Sequence, residues 1–193
     1  MSFKLASLSL IALALTLYAS PADAQARPRS GFGFAFGMGG GNAGVTCDEC
    51  AIEMDERLNG ISGFVRLGGY ASSRMLVGVE GSGWIRNSDG LERRIAAVSL
   101  VFVGYPSSTA GFFVRGGGGG IRAVVENDIA SVVGEGITWS VGIGFDIGSG
   151  GAALTPYVTY LNSTEVAADV NGVSTGVNLN PNILQFGLAI TTR

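Results

Sequence analysis

Residues 137–146 read ITWSVGIGFD, and they alternate large apolar side chains with small or polar ones. Successive side chains of a β-strand point to opposite faces, so the pattern has the period of a strand. One face would carry Ile137, Trp139, Val141, Ile143 and Phe145, and the other Thr138, Ser140, Gly142, Gly144 and Asp146. The stretch predicts a strand whose two faces meet different environments.

Similar alternation along the chain predicts eight short strands. Their predicted bounds are Phe32–Gly39, Ile61–Tyr70, Met75–Ile85, Arg94–Tyr105, Thr109–Gly117, Ile137–Asp146, Ala152–Leu161 and Leu184–Thr191. Residues 98–103 of the fourth strand are nearly all apolar, so alternation does not assign the two faces there. The strand count predicts an all-β fold.

The connections between these strands alternate in length. Short turns rich in Gly, Pro and Ser are predicted at Ala71–Arg74, Pro106–Ser108 and Gly148–Gly151. Long loops are predicted at Gly40–Gly60, Arg86–Arg93, Gly118–Glu135 and Asn162–Pro181. Short turns at one rim and long loops at the other are typical of outer-membrane barrels. We therefore predict an eight-stranded antiparallel up-and-down transmembrane β-barrel. Within its last loop, Asn171-Gly172 is the commonest signal for a type I′ hairpin turn.

Composition bears on which face of the barrel would meet lipid. Charged residues make up only 14% of the chain, there is no histidine, and Lys4 is the only lysine. A soluble barrel such as a lipocalin would turn its bulky apolar side chains inward and cover its outside with long polar ones. Here the face opposite the bulky residues is mainly Gly, Ala, Ser and Thr, which suit a narrow interior. We therefore expect the face with the bulky apolar side chains to lie outside and to contact lipid. The alternative is a soluble periplasmic barrel that binds a hydrophobic ligand.

The N-terminal segment has the features of a secretory signal peptide. Lys4 precedes an apolar run from Leu5 to Leu17, and a small-residue cleavage site follows at Ala22–Ala24. We expect residues 1–24 to be removed, with Ala26 as an alternative cleavage point, and residues 25–193 to form one barrel domain. Removing Lys4 and Asp23 leaves the formal net charge at −3. No basic patch suggests nucleic acid as a partner.

Two segments near the C terminus resemble the OmpA-like or opacity-type outer-membrane barrels. Val141–Ile147, a Gly-rich turn and Leu154–Tyr160 look like their penultimate hairpin. Gln185, Gly187 and Ile190 match the family's terminal assembly signal, whereas Thr192 and Arg193 depart from its usual aromatic ending. The resemblance implies an outer-membrane location in a Gram-negative-type bacterium, contacts with lipid and lipopolysaccharide, and insertion by the barrel assembly machinery. The family includes adhesins, structural proteins and small channels, so the resemblance does not settle the activity. We expect the protein to be a monomer.

Four charged residues fall on the predicted inner face, namely Arg66, Glu80, Arg115 and Asp146. A charge inside a narrow lumen needs a partner, and two arginines balance two acids. If these residues lie at similar depth, they form an ion-paired plug. The network is then either a permanent structural filling or a gate whose partners exchange.

The first long loop contains Cys47-Asp48-Glu49-Cys50. Thr46 and Glu49 form a capping box ahead of a possible short helix over Ala51–Leu58. In an exported protein we expect Cys47 and Cys50 to form a local disulfide, with redox activity or metal binding as the alternatives. The neighbouring carboxylates fit no calcium loop, so we expect a solvated acidic face and neither metal nor cofactor.

Catalysis is not expected. Outer-membrane hydrolases typically use histidine as a general base, and this chain has none. Gly116–Gly120 lacks the Gly-Lys-Ser/Thr ending of a phosphate-binding loop, and we interpret it as a flexible strand exit. The predicted role is structural or surface-interacting, and a narrow small-solute channel is the main alternative.

Overall fold

The computed structural model describes residues 29–46, 57–88, 90–126, 131–148, 151–170 and 173–192. The predicted signal peptide, Cys47, Cys50 and most of the predicted helix lie outside the described residues. Eight strands are present: β1 (Phe32–Thr46), β2 (Leu58–Ser72), β3 (Met75–Ser88), β4 (Leu91–Gly104), β5 (Phe112–Glu126), β6 (Ser131–Phe145), β7 (Ala152–Val170) and β8 (Val173–Thr192). Leu58, the last residue of the predicted helix, is thus the first residue of β2.

The strands form one closed antiparallel barrel. Each strand pairs with its neighbour in sequence, and β1 pairs with β8 to close the ring. At this closing seam Gly39 lies directly opposite Gly187. A Cβ on either glycine would fall on the backbone of the other strand, so the two backbones approach too closely for a side chain. The predicted fold class and topology are confirmed.

The alternation of side chains also assigns the faces of β4. Val98, Leu100 and Phe102 point outward, and Ser99, Val101 and Val103 are buried in the lumen. Glycines of β5 lie opposite the middle of β4 and give its inner side chains room. At Gly117, for example, a Cβ would lie 2.8 Å from Cγ1 of Val101. The packing of β4 against β5 therefore assigns the inner and outer faces of β4, which the nearly continuous apolar run left unassigned.

All four predicted long loops are wrong in extent, because residues at their ends continue the strands. β3 ends at Ser88 and β4 begins at Leu91, and Gly90 before β4 has a φ of 72°. β5 continues to Glu126 and β6 begins at Ser131, so Gly116–Gly120 lies inside a strand and is not a strand exit. In these extensions of the strands the outward side chains become polar, while the backbone pairing continues. The hairpin predicted around Asn171-Gly172 is confirmed by the pairing of Val170 with Val173, although the two turn residues lie outside the described part.

The barrel has two different rims. The terminal rim, as we call it, carries Arg29–Gly31, the end of β8, the connections at residues 73–74 and 105–111, and residues 146–148 after β6. The hairpin rim carries the extended ends of β1–β2, β3–β4, β5–β6 and β7–β8. On the terminal rim the β4–β5 connection is longer than the three-residue turn predicted at Pro106–Ser108. The described residues include no helix with the length and apolar character needed to cross a membrane.

Candidate functional site

A band of exposed apolar side chains surrounds the barrel wall. Leu100 is 62% exposed and Phe186 is 53% exposed, values that would be unusual in a water-soluble wall. On the outer face of β6 and its continuation, the band runs from Ile137 to Ile147. At about 3.3 Å per residue and a tilt of about 40°, this stretch spans about 25 Å along the barrel axis, the height of an outer-membrane apolar band. The wall therefore matches a lipid environment in chemistry and in dimension.

Aromatic side chains mark both edges of this band. Phe32, Phe112 and Phe145 are exposed near the terminal rim. Toward the hairpin rim, Trp139 packs edge-to-face against Tyr160, with ring centroids 5.8 Å apart. Aromatic girdles of this kind lie at the two lipid–water interfaces of membrane barrels.

Arg66, Glu80 and Arg115 meet in the middle of the lumen. Arg66 faces Glu80 directly across β2 and β3, and its Nη2 lies 2.7 Å from Oε2 of the carboxylate. Nη2 of Arg115 lies 2.8 Å from the other carboxylate oxygen, Oε1. All three side chains are almost fully buried. Glu80 is thus held between two guanidinium groups, and we call these three residues the central cluster.

Arg115 links the central cluster to the opposite wall. It donates hydrogen bonds to the hydroxyls of Ser140 at 3.0 Å and Thr159 at 3.3 Å. The polar contacts of the cluster thereby join β2, β3, β5, β6 and β7 across the interior. The two hydroxyls supplement the single carboxylate as partners of the buried guanidinium, whereas Nε of Arg115 has no hydrogen-bond partner among the described residues.

Asp146 does not belong to the central cluster. It lies at the terminal rim, where its Oδ2 is 3.8 Å from Nη2 of Arg29. Its carboxylate also accepts hydrogen bonds from Thr155 at 2.8 Å and from Tyr105 at 3.2 Å. The two acids and two arginines predicted on the inner face are therefore divided between two sites. We call the second one the terminal cluster.

Arg29 was not predicted, and it completes the terminal cluster. Its guanidinium carbon lies 3.7 Å from the centroid of the Tyr105 ring, and it donates to the carbonyls of Ser108 at 3.1 Å and Ala110 at 2.8 Å. The residue precedes β1, so no strand pattern signals its position. Burial raises the pKa of the Tyr105 phenol, and the nearby Asp146 carboxylate raises it further. The phenol therefore remains a hydrogen-bond donor.

Apolar layers fill the lumen above and below the central cluster. Phe64 and Tyr157 pack edge-to-face at 4.9 Å, and Leu76, Val103 and Phe113 form a buried group near the terminal rim. A larger buried group lies toward the hairpin rim and includes Ala43, Trp84, Ile95, Ile121, Leu161 and Ile183. Between Arg66 and Tyr105 an enclosed space of about 10 Å³ has room for about one water molecule. The described lumen is thus plugged at several depths.

The residues of the predicted assembly signal lie along the closing seam. Gln185 is buried and donates from Nε2 to the carbonyl of Gly83 at 3.3 Å, whereas Ile190 points outward. Gly187 occupies the close contact with β1. Thr192, which departs from the family ending, accepts a hydrogen bond from the amide of Phe34 at 2.9 Å. Recognition of these residues by an assembly machinery remains a prediction.

The described residues bear on metal binding but not on the two cysteines. Within the described ranges, no three residues of the types His, Cys, Asp and Glu are grouped so that they could hold a metal ion. The acidic residues 48–56 and the two cysteines are not among those ranges. The predicted disulfide between Cys47 and Cys50 therefore stays a prediction.

Comparison with known proteins shows the fold and no more. No family model and no curated protein matches the chain. Neisserial surface protein A has a solved structure that is 12% identical and superposes with a TM-score of 0.58, covering 84% of this chain and 97% of that one. Ail, the attachment invasion locus protein of Yersinia pestis, is 13% identical with a TM-score of 0.52, covering 83% and 99%. The outer membrane protein OprG of Pseudomonas aeruginosa is 10% identical with a TM-score of 0.49, covering 88% and 99%. This chain shares the eight-stranded fold of outer-membrane barrels.

Proposed function

We propose that this chain is an integral outer-membrane protein of a Gram-negative-type bacterium, with a structural or surface-interaction role. The observation that carries the proposal is the band of exposed apolar side chains around a closed barrel. Such a wall would aggregate in water, whereas lipid covers it without cost. Export would use the N-terminal segment as a cleaved signal peptide, and insertion would use the barrel assembly machinery.

The band opposes the alternative of a soluble periplasmic barrel. A soluble ligand-binding barrel needs a polar exterior and an apolar cavity inside. Here the large apolar side chains lie outside, and the middle of the lumen holds buried ions. The only lysine precedes the barrel, so lysine side chains do not cover the wall.

A surface role is supported by the extended hairpins. β7 and β8 continue well past the apolar band, which ends near Ile137 on β6. The names of two proteins with this fold refer to a surface protein and to attachment and invasion. We infer that the hairpin rim faces the outside of the cell, contacts lipopolysaccharide and presents its strands to a partner. We expect the protein to act as a monomer and without catalysis, since the chain lacks a histidine base.

The test of this proposal is the electrophoretic mobility of the membrane-fraction protein in SDS, unboiled against boiled. A closed strand ladder resists SDS until it is heated, so we expect two mobilities and extraction by detergent only. A single mobility together with release into buffer would overturn the membrane assignment and favour the soluble barrel.

A narrow channel is the second candidate, and the central cluster is the observation that favours it. Glu80 binds Arg66 and Arg115 through different oxygens, so loss of either contact could open a path. In planar bilayers, conductance that rises in Arg115→Ala but not in Arg122→Ala, an outer-wall control, would support a channel. If the unmodified protein and both variants show no conductance, the structural role is favoured.

A further inference from the structure

The hairpin rim places arginines in two opposite arrangements. On the outer wall of β4 to β6 the arginines have carboxylate partners: Arg94 lies 2.9 Å from Glu126, and Arg122 lies directly across from Glu135. On the inner wall the pairing is different, because Arg86 lies directly opposite Arg93 across β3 and β4. Like charges directly opposite each other on a sheet are destabilising. The inner pair therefore has a charge pattern that strand pairing alone does not explain.

The two inner side chains converge on one oxygen atom. Nε of Arg86 donates to the hydroxyl of Ser88 at 3.3 Å, and Nη1 of Arg93 donates to the same hydroxyl at 3.1 Å. Arg86 is also anchored through Nη1, which donates to the carbonyl of Asn59 at 2.7 Å. Both guanidinium groups are thus oriented toward the same place and keep further N–H donors for a ligand.

The surroundings favour an anion at this position. Both arginines are half-buried, and among the described residues neither forms an ion pair. The next residues inward on the same face are Trp84 and Ile95, which are buried and apolar. An apolar floor strengthens the electrostatic attraction of the two cations for a negative group above it. Glu92, the nearest acid on β4, points outward and pairs with Arg94 at 2.9 Å.

We propose that Arg86, Arg93 and Ser88 form a binding site for a phosphate group at the inner wall of the hairpin rim. Two guanidinium groups can each offer paired N–H donors to the oxygens of a tetrahedral oxyanion, and the serine hydroxyl supplies a further donor. Because the site faces the lumen, it takes a soluble phosphate or phosphate monoester, not a lipid headgroup at the outer wall. The formal net charge of the protein is −3, so general attraction of anions does not account for such binding.

The test uses the refolded full barrel in detergent micelles, with inorganic phosphate and glycerol 1-phosphate as probes. Binding is followed by calorimetric titration and by ³¹P line broadening. We expect saturable binding that weakens at high salt. Arg86→Gln and Arg93→Gln should each lower the affinity roughly tenfold, as expected for loss of a charged hydrogen-bonding partner.

Arg122→Gln is the matched control, because it removes the same charge from the outer wall of the same rim. It should leave phosphate affinity unchanged. Far-ultraviolet circular dichroism confirms that each variant is folded, and it keeps this test independent of the mobility assay for the proposed membrane role. Absence of binding to the unmodified protein, an equal loss in Arg122→Gln, or competition by phosphatidic acid added to the micelles would each overturn the proposal.

Asp89, which follows Ser88 in the sequence, provides a second check. Asp89→Asn removes one negative charge close to the site in sequence. We expect this variant to bind phosphate as tightly as the parent or more tightly. Weaker binding in Asp89→Asn would contradict an anion site built from the arginine pair.

Discussion

The central cluster and the terminal cluster are both buried ion networks inside one barrel, yet they are built in different ways. Arg66, Glu80 and Arg115 all project from regular strands, and the first two meet because strand register places them opposite each other. Arg29 and Asp146 lie outside the strands and meet because the chain before β1 crosses the terminal rim. The first network is set by register and the second by the path of the chain. This difference predicts unequal responses to mutation.

The largest effect is expected from Glu80→Gln. The substitution leaves two arginines buried beside each other without their shared carboxylate. Breaking a buried pair in this way costs about 3–5 kcal/mol. The free energy of unfolding of the refolded barrel in urea should fall by that amount. A parent-like unfolding midpoint would show that the central cluster does not stabilise the fold.

Asp146→Asn should lower the free energy of unfolding by less, about 2 kcal/mol. The asparagine Oδ1 can still accept the hydrogen bond from Thr155, and its Nδ2 can donate to the Tyr105 hydroxyl. Arg29 keeps its hydrogen bonds to the carbonyls of Ser108 and Ala110. The same urea titration measures this. A loss equal to that of Glu80→Gln would mean that the terminal cluster is as rigidly enclosed as the central one.

Arg29→Gln tests the terminal cluster from the side of the chain end. We expect the free energy of unfolding to fall by about 1 kcal/mol, because Asp146 keeps the hydrogen bonds from the Tyr105 and Thr155 hydroxyls. Hydrogen exchange of the Tyr105 and Asp146 amides should accelerate while exchange in the middle of β3 stays slow. Faster exchange throughout β3 would contradict the separation of the two clusters.

The smallest effect is expected from Glu135→Gln on the outer wall. Arg122 and Glu135 are mostly exposed and 3.6 Å apart, and such pairs contribute less than about 0.5 kcal/mol. The variant is a baseline against which the two buried clusters are compared. A loss above 1 kcal/mol would indicate that the extended β5–β6 hairpin contributes directly to barrel stability.

The same contrast explains how much could be predicted from sequence. Period-two alternation identified the barrel and put Arg66, Glu80 and Arg115 on the inner face, because a strand fixes the direction of every side chain. It could not place Asp146 at a different depth, since relative depth depends on the stagger between strands. It gave no signal for Arg29, whose position follows from the path of the chain across the rim.

The lengths of the hairpins were underestimated for a related reason. The prediction ended strands where the outward side chains ceased to be apolar, as at Gly118 and at Asn162. Backbone pairing needs no lipid, so β5 and β7 continue with polar residues such as Arg122 facing outward. The edge of the apolar band and the end of a strand are two different boundaries, and a sequence pattern reports mainly the first.

The glycine pair at the closing seam bears on how the ring is completed. Gly39 and Gly187 leave the two backbones without side chains between them at the point where β1 meets β8. Neighbouring contacts, such as the hydrogen bond from the Phe34 amide to the Thr192 hydroxyl, hold the two strands in register. A side chain on either glycine would push β1 and β8 apart, so the last pair of strands can close the ring only where both positions lack one.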